Sequence, residues 1–184
     1  ERLKLDPGLP LALFVGGLDT AHYFKGLEVL LRAVAHVNRT ATPLGLVVVG
    51  EGDLRSRYEA MAHTLGVVEQ VRFVGNALSD ELPDFYRLAD FTVLSSIDRS
   101  EAFGLVVLEA MASGCLPLVA NRAFAGLFGD DASMLIAAET PPAFAEKIAT
   151  LAALPSIERA RLSARLAARA RGEADLSRTI ERLV

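Results

Sequence analysis

Short apolar runs alternate with longer amphipathic ones along this chain. "LALFV" (11–15), "GLVVV" (45–49), "VRFVG" (71–75), "FTVLSS" (91–96) and "LPLVA" (116–120) read as buried strands, and "SMLIA" (133–137) as a sixth. Between them lie segments with apolar residues at helical spacing: 25–37, 54–65, 79–89 and 103–113. Asp53 is the predicted N-cap of the second helix and Ser79-Asp80 that of the third. From Pro141 onward the pattern is helical, over roughly 141–153, 156–171 and 176–183.

Strand–helix alternation with short connections implies a parallel sheet covered on both faces. The predicted fold class is α/β: a Rossmann-like three-layer domain with a parallel sheet of about six strands and helices on both faces. Ligands of such sheets bind at the carboxyl ends of the strands. Gly16 and Gly17 follow strand one, Gly50 and Gly52 strand two, Gly75 strand three, and Glu101 to Gly104 strand four. Glycine loops gathered on one edge suggest backbone brought close to a ligand.

The totals narrow the field. The 184 residues are 52% apolar, which suits one domain with a sizeable core. A net charge of −4 argues against nucleic acid as partner. No apolar run approaches the roughly 20 residues of a membrane span. The lone Cys115 reads as a small packed residue in a reducing cytosol. His and Cys are too few and too scattered for a zinc site. The chain opens at Glu1 without a methionine and is read as part of a longer protein.

The stretch "RSEAFGLVVLEAMASG" (99–114) carries the most chemistry. A helix starting near Phe103-Gly104 offers unpartnered amides and a partial positive charge, with no side chain at Gly104 to block an anion. Glu109 would lie about five residues in, roughly 8 Å along the axis. That matches the step from a nucleotide's phosphate to its ribose, whose two hydroxyls would satisfy a carboxylate otherwise costly so near a core. Glu101 lies beyond the phosphate end, where a sugar carried by the diphosphate would sit. There is no G-x-G-x-x-G after the first strand and no G-K-[ST], so the two common nucleotide fingerprints are absent.

At these residues the chain resembles the retaining GT-B glycosyltransferases of group 1. E-x7-E ahead of "AMASG" is similar to that family's motif. "FVGGLDTAHYFKG" is similar to its first phosphate loop, "VVVGEGDLR" to its G-x-G turn, and "VRFVGN" with "LPDFYRLADFTVLSS" to its third and fourth strands. The likeness runs over about residues 11–150. It implies the C-terminal, donor-binding half of a two-domain enzyme, so that residues 1–184 form one nucleotide-sugar-binding domain and the acceptor-binding half is not in this chain. It further implies a nucleoside diphosphate sugar as substrate and no cofactor or essential metal. Lys25 would neutralise the diphosphate. Gly104, with the amides of Leu105 and Val106, would hold phosphate oxygens beside Phe103. Glu109 would hold the ribose, Glu101 the transferred sugar, and Asn76 and Ala77 the base through backbone groups. Lys25, His22 and Glu101 are the groups expected nearest the reacting bond.

The departures are informative. Many members carry Arg directly after the first loop's Gly, where this chain has Gly17, and His22 is the substitute within a longer loop. Ala125-Gly126 stand where members often carry Gly followed by Glu. Ser95-Ser96 replace a frequent Pro-Ser, a change expected to matter little. Arg161, Arg165 and Arg169 lie at i, i+4 spacing and read as a solvated face, with the missing half or an anionic membrane surface as the alternative contact.

The resulting expectation is a cytoplasmic enzyme of polysaccharide or glycolipid biosynthesis, with a peripheral contact at the inner face of the membrane. It transfers a sugar to an acceptor hydroxyl with retention, and this portion alone catalyses little. A nucleotide-sugar epimerase of the same architecture and a non-catalytic nucleotide-binding module are the competing readings.

Overall fold

The computed structural model describes residues 5–6, 8–40, 43–96, 105–129 and 131–181, with the side chains of all but 40, 123, 132 and 173–181. Its strands are β1 (Leu11–Val15), β2 (Gly45–Val49), β3 (Val71–Gly75), β4 (Phe91–Leu94) and β5 (Leu116–Val119). Its α-helices are α1 (Leu27–Thr40), α2 (Arg55–Thr64), α3 (Leu82–Leu88), α4 (Leu105–Ser113), α5 (Ala125–Phe128), α6 (Pro141–Ala152) and α7 (Ser156–Glu181). A 3-10 helix, Thr20–Lys25, leads into α1.

All strand pairs are parallel, in the order β3-β2-β1-β4-β5. Side chains on a strand alternate between faces, and the core divides accordingly. Ala12, Phe14, Leu46 and Val48 join the larger core, together with buried residues of α1 and α6. Leu13, Val47 and Val49 join a second one, with Tyr86 of α3 and Ala110 of α4. Burial on both faces explains why β2 is an unbroken apolar run rather than an alternating one. The second core also seals Cys115, whose thiol lies 3.1 Å from Thr92 Oγ1. Burial pushes that thiol up to about 12, so Cys115 stays protonated and packs rather than reacts.

Several boundaries differ from the sequence expectation for physical reasons. The sixth strand is reduced to a bridge: Ala132–Met134 form a 3-10 turn, and only Leu135 pairs with Val119, with Ile136 N–H donating to Val119 O at 2.8 Å. The sheet therefore has five strands. Asp53 does not cap α2. Its carboxylate accepts from Thr20 N–H and Thr20 Oγ1, both at 3.0 Å, which ties the β2–α2 connection to the 3-10 helix. Ser79-Asp80 do not cap α3, which begins at Leu82 with Pro83 in its first turn, where a missing N–H costs nothing. The two terminal helices are one, since Gly172 in a helix costs only about 1 kcal/mol and does not break it.

The arginine face of α7 is largely occupied from within. Arg165 pairs with Asp131 at 2.8 Å, and Arg169 donates to Leu127 O and Gly126 O, both at 2.7 Å. Both fasten the α5 segment to α7, and Arg161, Arg165 and Arg169 are all exposed, as the solvated-face reading expects. No helix among the described residues is long and apolar enough to cross a membrane.

Candidate functional site

The connections after β1, β2 and β3 are knitted into one rim at the carboxyl edge of the sheet. Gly16 N–H donates to Val49 O at 3.0 Å, Leu18 N–H to Glu51 O at 2.9 Å, Leu54 N–H to Leu18 O at 2.8 Å and Gly50 N–H to Gly75 O at 2.8 Å. This close approach gives the glycines a packing reason of their own. A Cβ at Gly50 would lie 1.9 Å from Gly16 O, and its φ of 142° also favours glycine. A Cβ at Gly52 would lie 2.2 Å from Leu18 C and 2.3 Å from Asp19 N. Gly50 and Gly52 are thus required for the rim to exist, whether or not a ligand approaches them.

Gly16 and Gly17 serve a different purpose. A Cβ at Gly16 would meet Lys25 Cδ at 2.6 Å, and one at Gly17 would meet His22 Nδ1 at 2.8 Å. Two consecutive glycines therefore make room for two basic side chains, which the 3-10 helix folds back over the end of β1. Lys25 Nζ also lies 5.8 Å from the centre of the Phe24 ring, within cation–π range. The Lys25 main chain is anchored in turn: buried Ser95 donates its hydroxyl to Lys25 O at 2.8 Å. A proline at 95 could not make that bond. The replacement of Pro-Ser is therefore consequential, since Ser95, just past the end of β4, ties that strand to the 3-10 helix. A net hydrogen bond of this kind is worth about 1 kcal/mol.

Glu109 is not a buried carboxylate. α4 buries Val107, Ala110 and Met111, while residue 109 lies about 200° round the helix from 107 and is exposed. Its Oε2 accepts from Tyr86 Oη at 2.7 Å. Tyr86 is 1% exposed, and burial, followed by the Glu109 hydrogen bond, pushes its phenol well above the ordinary tyrosine range. The phenol therefore remains a donor, holding one carboxylate oxygen. Among the described residues Oε1 has no partner, so it is available to a ligand's hydroxyl. No basic side chain among the described residues pairs with Glu109. Leu105 opens α4 with its side chain 64% exposed, and Val106 is half-buried. Asn76 is exposed just past Gly75, whereas Ala77 packs on the second core. Glu101, Phe103 and Gly104 lie outside the described residues.

A groove of about 520 Å³ runs beside this rim on the α1–α2 side, lined by Tyr23, Arg32, Arg57 and Tyr58 among others. It contains none of the predicted donor residues. Among the described residues no group of three or more His, Cys, Asp or Glu side chains is arranged to hold a metal.

Tyr86, Ser95 and Asp53 escape sequence reasoning because each acts across 20 or more positions. Tyr86 and Glu109 stand 23 apart, Ser95 and Lys25 stand 70 apart, and Asp53 and Thr20 stand 33 apart. Asp19 was within reach, three residues ahead of His22, in the pattern of a local side-chain cap.

Comparison with known proteins follows the same lines. The D-inositol 3-phosphate glycosyltransferase of Corynebacterium glutamicum is 34% identical over 164 residues, which are 82% of this chain and 38% of that protein. An uncharacterized glycosyltransferase of Methanocaldococcus jannaschii is 39% identical over 111 residues, 60% of this chain and 27% of that protein. The chain thus spans between about a quarter and two fifths of the length of these relatives. Among solved structures, the catalytic domain of cholesterol-α-glucosyltransferase from Helicobacter pylori superposes with a TM-score of 0.74 at 25% identity, covering 89% of this chain and 98% of that one. The family model of the glycosyl transferases group 1 matches residues 1–171. With the five-stranded parallel sheet and the knitted rim, the match places this chain in the group 1 glycosyl transferases, as a domain of GT-B type.

Proposed function

We propose that this domain binds a nucleoside diphosphate sugar at the carboxyl edge of its sheet, and that the whole enzyme transfers the sugar to an acceptor hydroxyl with retention of configuration. The acceptor-binding half lies outside this chain. The observation that carries this reading is the pair of basic side chains seated over Gly16 and Gly17. A diphosphate needs cations held in place before it arrives, and Lys25 and His22 supply them from one short helix.

In this reading the bond between sugar and phosphate breaks as negative charge grows on the leaving diphosphate. Lys25, His22 and the first amides of α4 at Leu105 and Val106, with Phe103 and Gly104 ahead of them, stabilise that charge as preorganised donors. No metal is assigned to the task. Glu109, with Tyr86 holding one oxygen, offers the other to the ribose. Asn76 and Ala77 flank the base, and Glu101 addresses the sugar. Acceptor attack and exclusion of water depend on the missing half, so the 184-residue chain binds donor but turns over little.

The test is a calorimetric panel of UDP, GDP and ADP against the chain. One nucleotide is expected to bind more tightly than the other two. Heats indistinguishable from dilution for all three would overturn the donor-site assignment.

A further inference from the structure

We infer that Asp19 is a positioning residue, which holds the His22 imidazole in the one orientation that can meet a donor phosphate. The inference rests on the donor-site reading above and deepens it.

Asp19 is the N-cap of the 3-10 helix, and its side chain accepts the His22 backbone N–H at 3.1 Å. The same carboxylate reaches the ring: Oδ1 and Oδ2 lie 2.8 and 2.9 Å from His22 Nδ1. One acidic side chain thus fixes both the main chain and the imidazole of one residue. Gly17 completes the seat, since a Cβ there would lie 2.8 Å from Nδ1, 3.0 Å from His22 Cγ and 3.0 Å from Asp19 Oδ2. The hydrogen bond from His22 holds the Asp19 carboxyl below its ordinary value, so the acceptor stays ionised.

A carboxylate facing Nδ1 requires a proton on that nitrogen, which leaves Nε2 as the ring atom open to a ligand. In the neutral ring Nε2 is an acceptor and repels a phosphate oxygen. In the imidazolium it is a donor and binds one. The contact therefore requires the ring to be protonated. The other charged groups about the ring come from two elements. Lys25 shares the 3-10 helix and meets His22 through Phe24, whose ring centre is 6.1 Å from the imidazole. From the β2–α2 connection comes Asp53, bonded to Thr20 at the start of the same helix. Histidine is the one side-chain type among these whose ordinary titration lies between about pH 5 and 8.

The test uses UDP-glucose, GDP-mannose and ADP-glucose as probes, because their phosphates carry fixed charge over that range. Affinity of the tightest probe is measured across about pH 5 to 8 for the wild-type chain, Asp19→Asn and His22→Lys. The wild-type dissociation constant is expected to rise about tenfold with pH, as for one charge-assisted hydrogen bond lost. His22→Lys should give a flat profile. Asp19→Asn retains an oxygen for the helix cap but should weaken binding several-fold at the acid end and flatten the profile. A merely structural role would weaken binding equally at every pH. If both variants reproduce the wild-type profile while Glu109→Ala still weakens binding, this inference falls and the donor site stands. If none of the three probes binds, both fall.

Discussion

Glu109→Ala weakens binding of the preferred nucleoside diphosphate by about 1.5–3 kcal/mol, the cost of a charged hydrogen bond, which is roughly tenfold to more than a hundredfold in affinity. The fold should weaken as well: Glu109 is exposed, but it is the described acceptor of the Tyr86 hydroxyl, and leaving that donor of a buried side chain unpaired costs about 1–3 kcal/mol. Tyr86→Phe separates positioning from contact. It keeps the buried ring but removes the donor that orients the carboxylate, so it should weaken binding in the same direction and by less. Calorimetry on the three proteins checks the order wild type, Tyr86→Phe, Glu109→Ala. Equal affinity in Glu109→Ala and wild type would remove this residue from the site.

Gly52→Ala acts on the fold instead. The added Cβ runs into the Leu18–Asp19 peptide, at 2.2 Å from Leu18 C, 2.3 Å from Asp19 N and 2.4 Å from Leu18 O. That backbone cannot retreat, because Leu18 is bonded to Glu51 O on one side and to Leu54 N–H on the other. Overpacking of this kind costs about 3 kcal/mol. The midpoint of urea unfolding should fall with little change in slope, since the surface exposed on unfolding is unchanged. Gly16→Ala is the contrast. Its Cβ meets the flexible stem of Lys25, which can swing aside, so stability should hold while nucleotide affinity falls. A midpoint for Gly52→Ala equal to that of the wild type would show that the two loops are not locked as described.

How far the sequence carried the fold depended on the range of the forces involved. β1 and β2 were legible to the residue because strand burial leaves a continuous apolar run, and β3 was legible although Arg72 interrupts its run. The sixth strand was misread for the same reason: 133–137 is apolar because Met134 and Ile136 are buried, yet a 3-10 turn occupies its start and only one bridge forms. Asp53 and Ser79-Asp80 have the chemistry of caps, but a distant partner, Thr20, claimed Asp53 and proline placement moved the start of α3.

The candidate site divides in the same way. Lys25, His22 and the glycines after β1 and β2 were picked out as candidates from the spacing within each loop. Glu109 was expected to face a ligand on the mistaken ground that it is buried. It is exposed, and what singles it out is the tyrosine that grips it from α3. The arginines of α7 carried no mark of their intramolecular targets, because backbone carbonyls at Gly126 and Leu127 have no sequence signature.

Amide chemical-shift mapping of the chain, titrated with whichever of UDP, GDP or ADP binds best, tests the central claim most directly. The largest shifts are expected at Gly16, Gly17, Leu105 and Val106, which belong to two separate elements, the loop after β1 and the start of α4. Shifts confined to the groove around Tyr23, Arg57 and Tyr58, with those four amides unmoved, would contradict it.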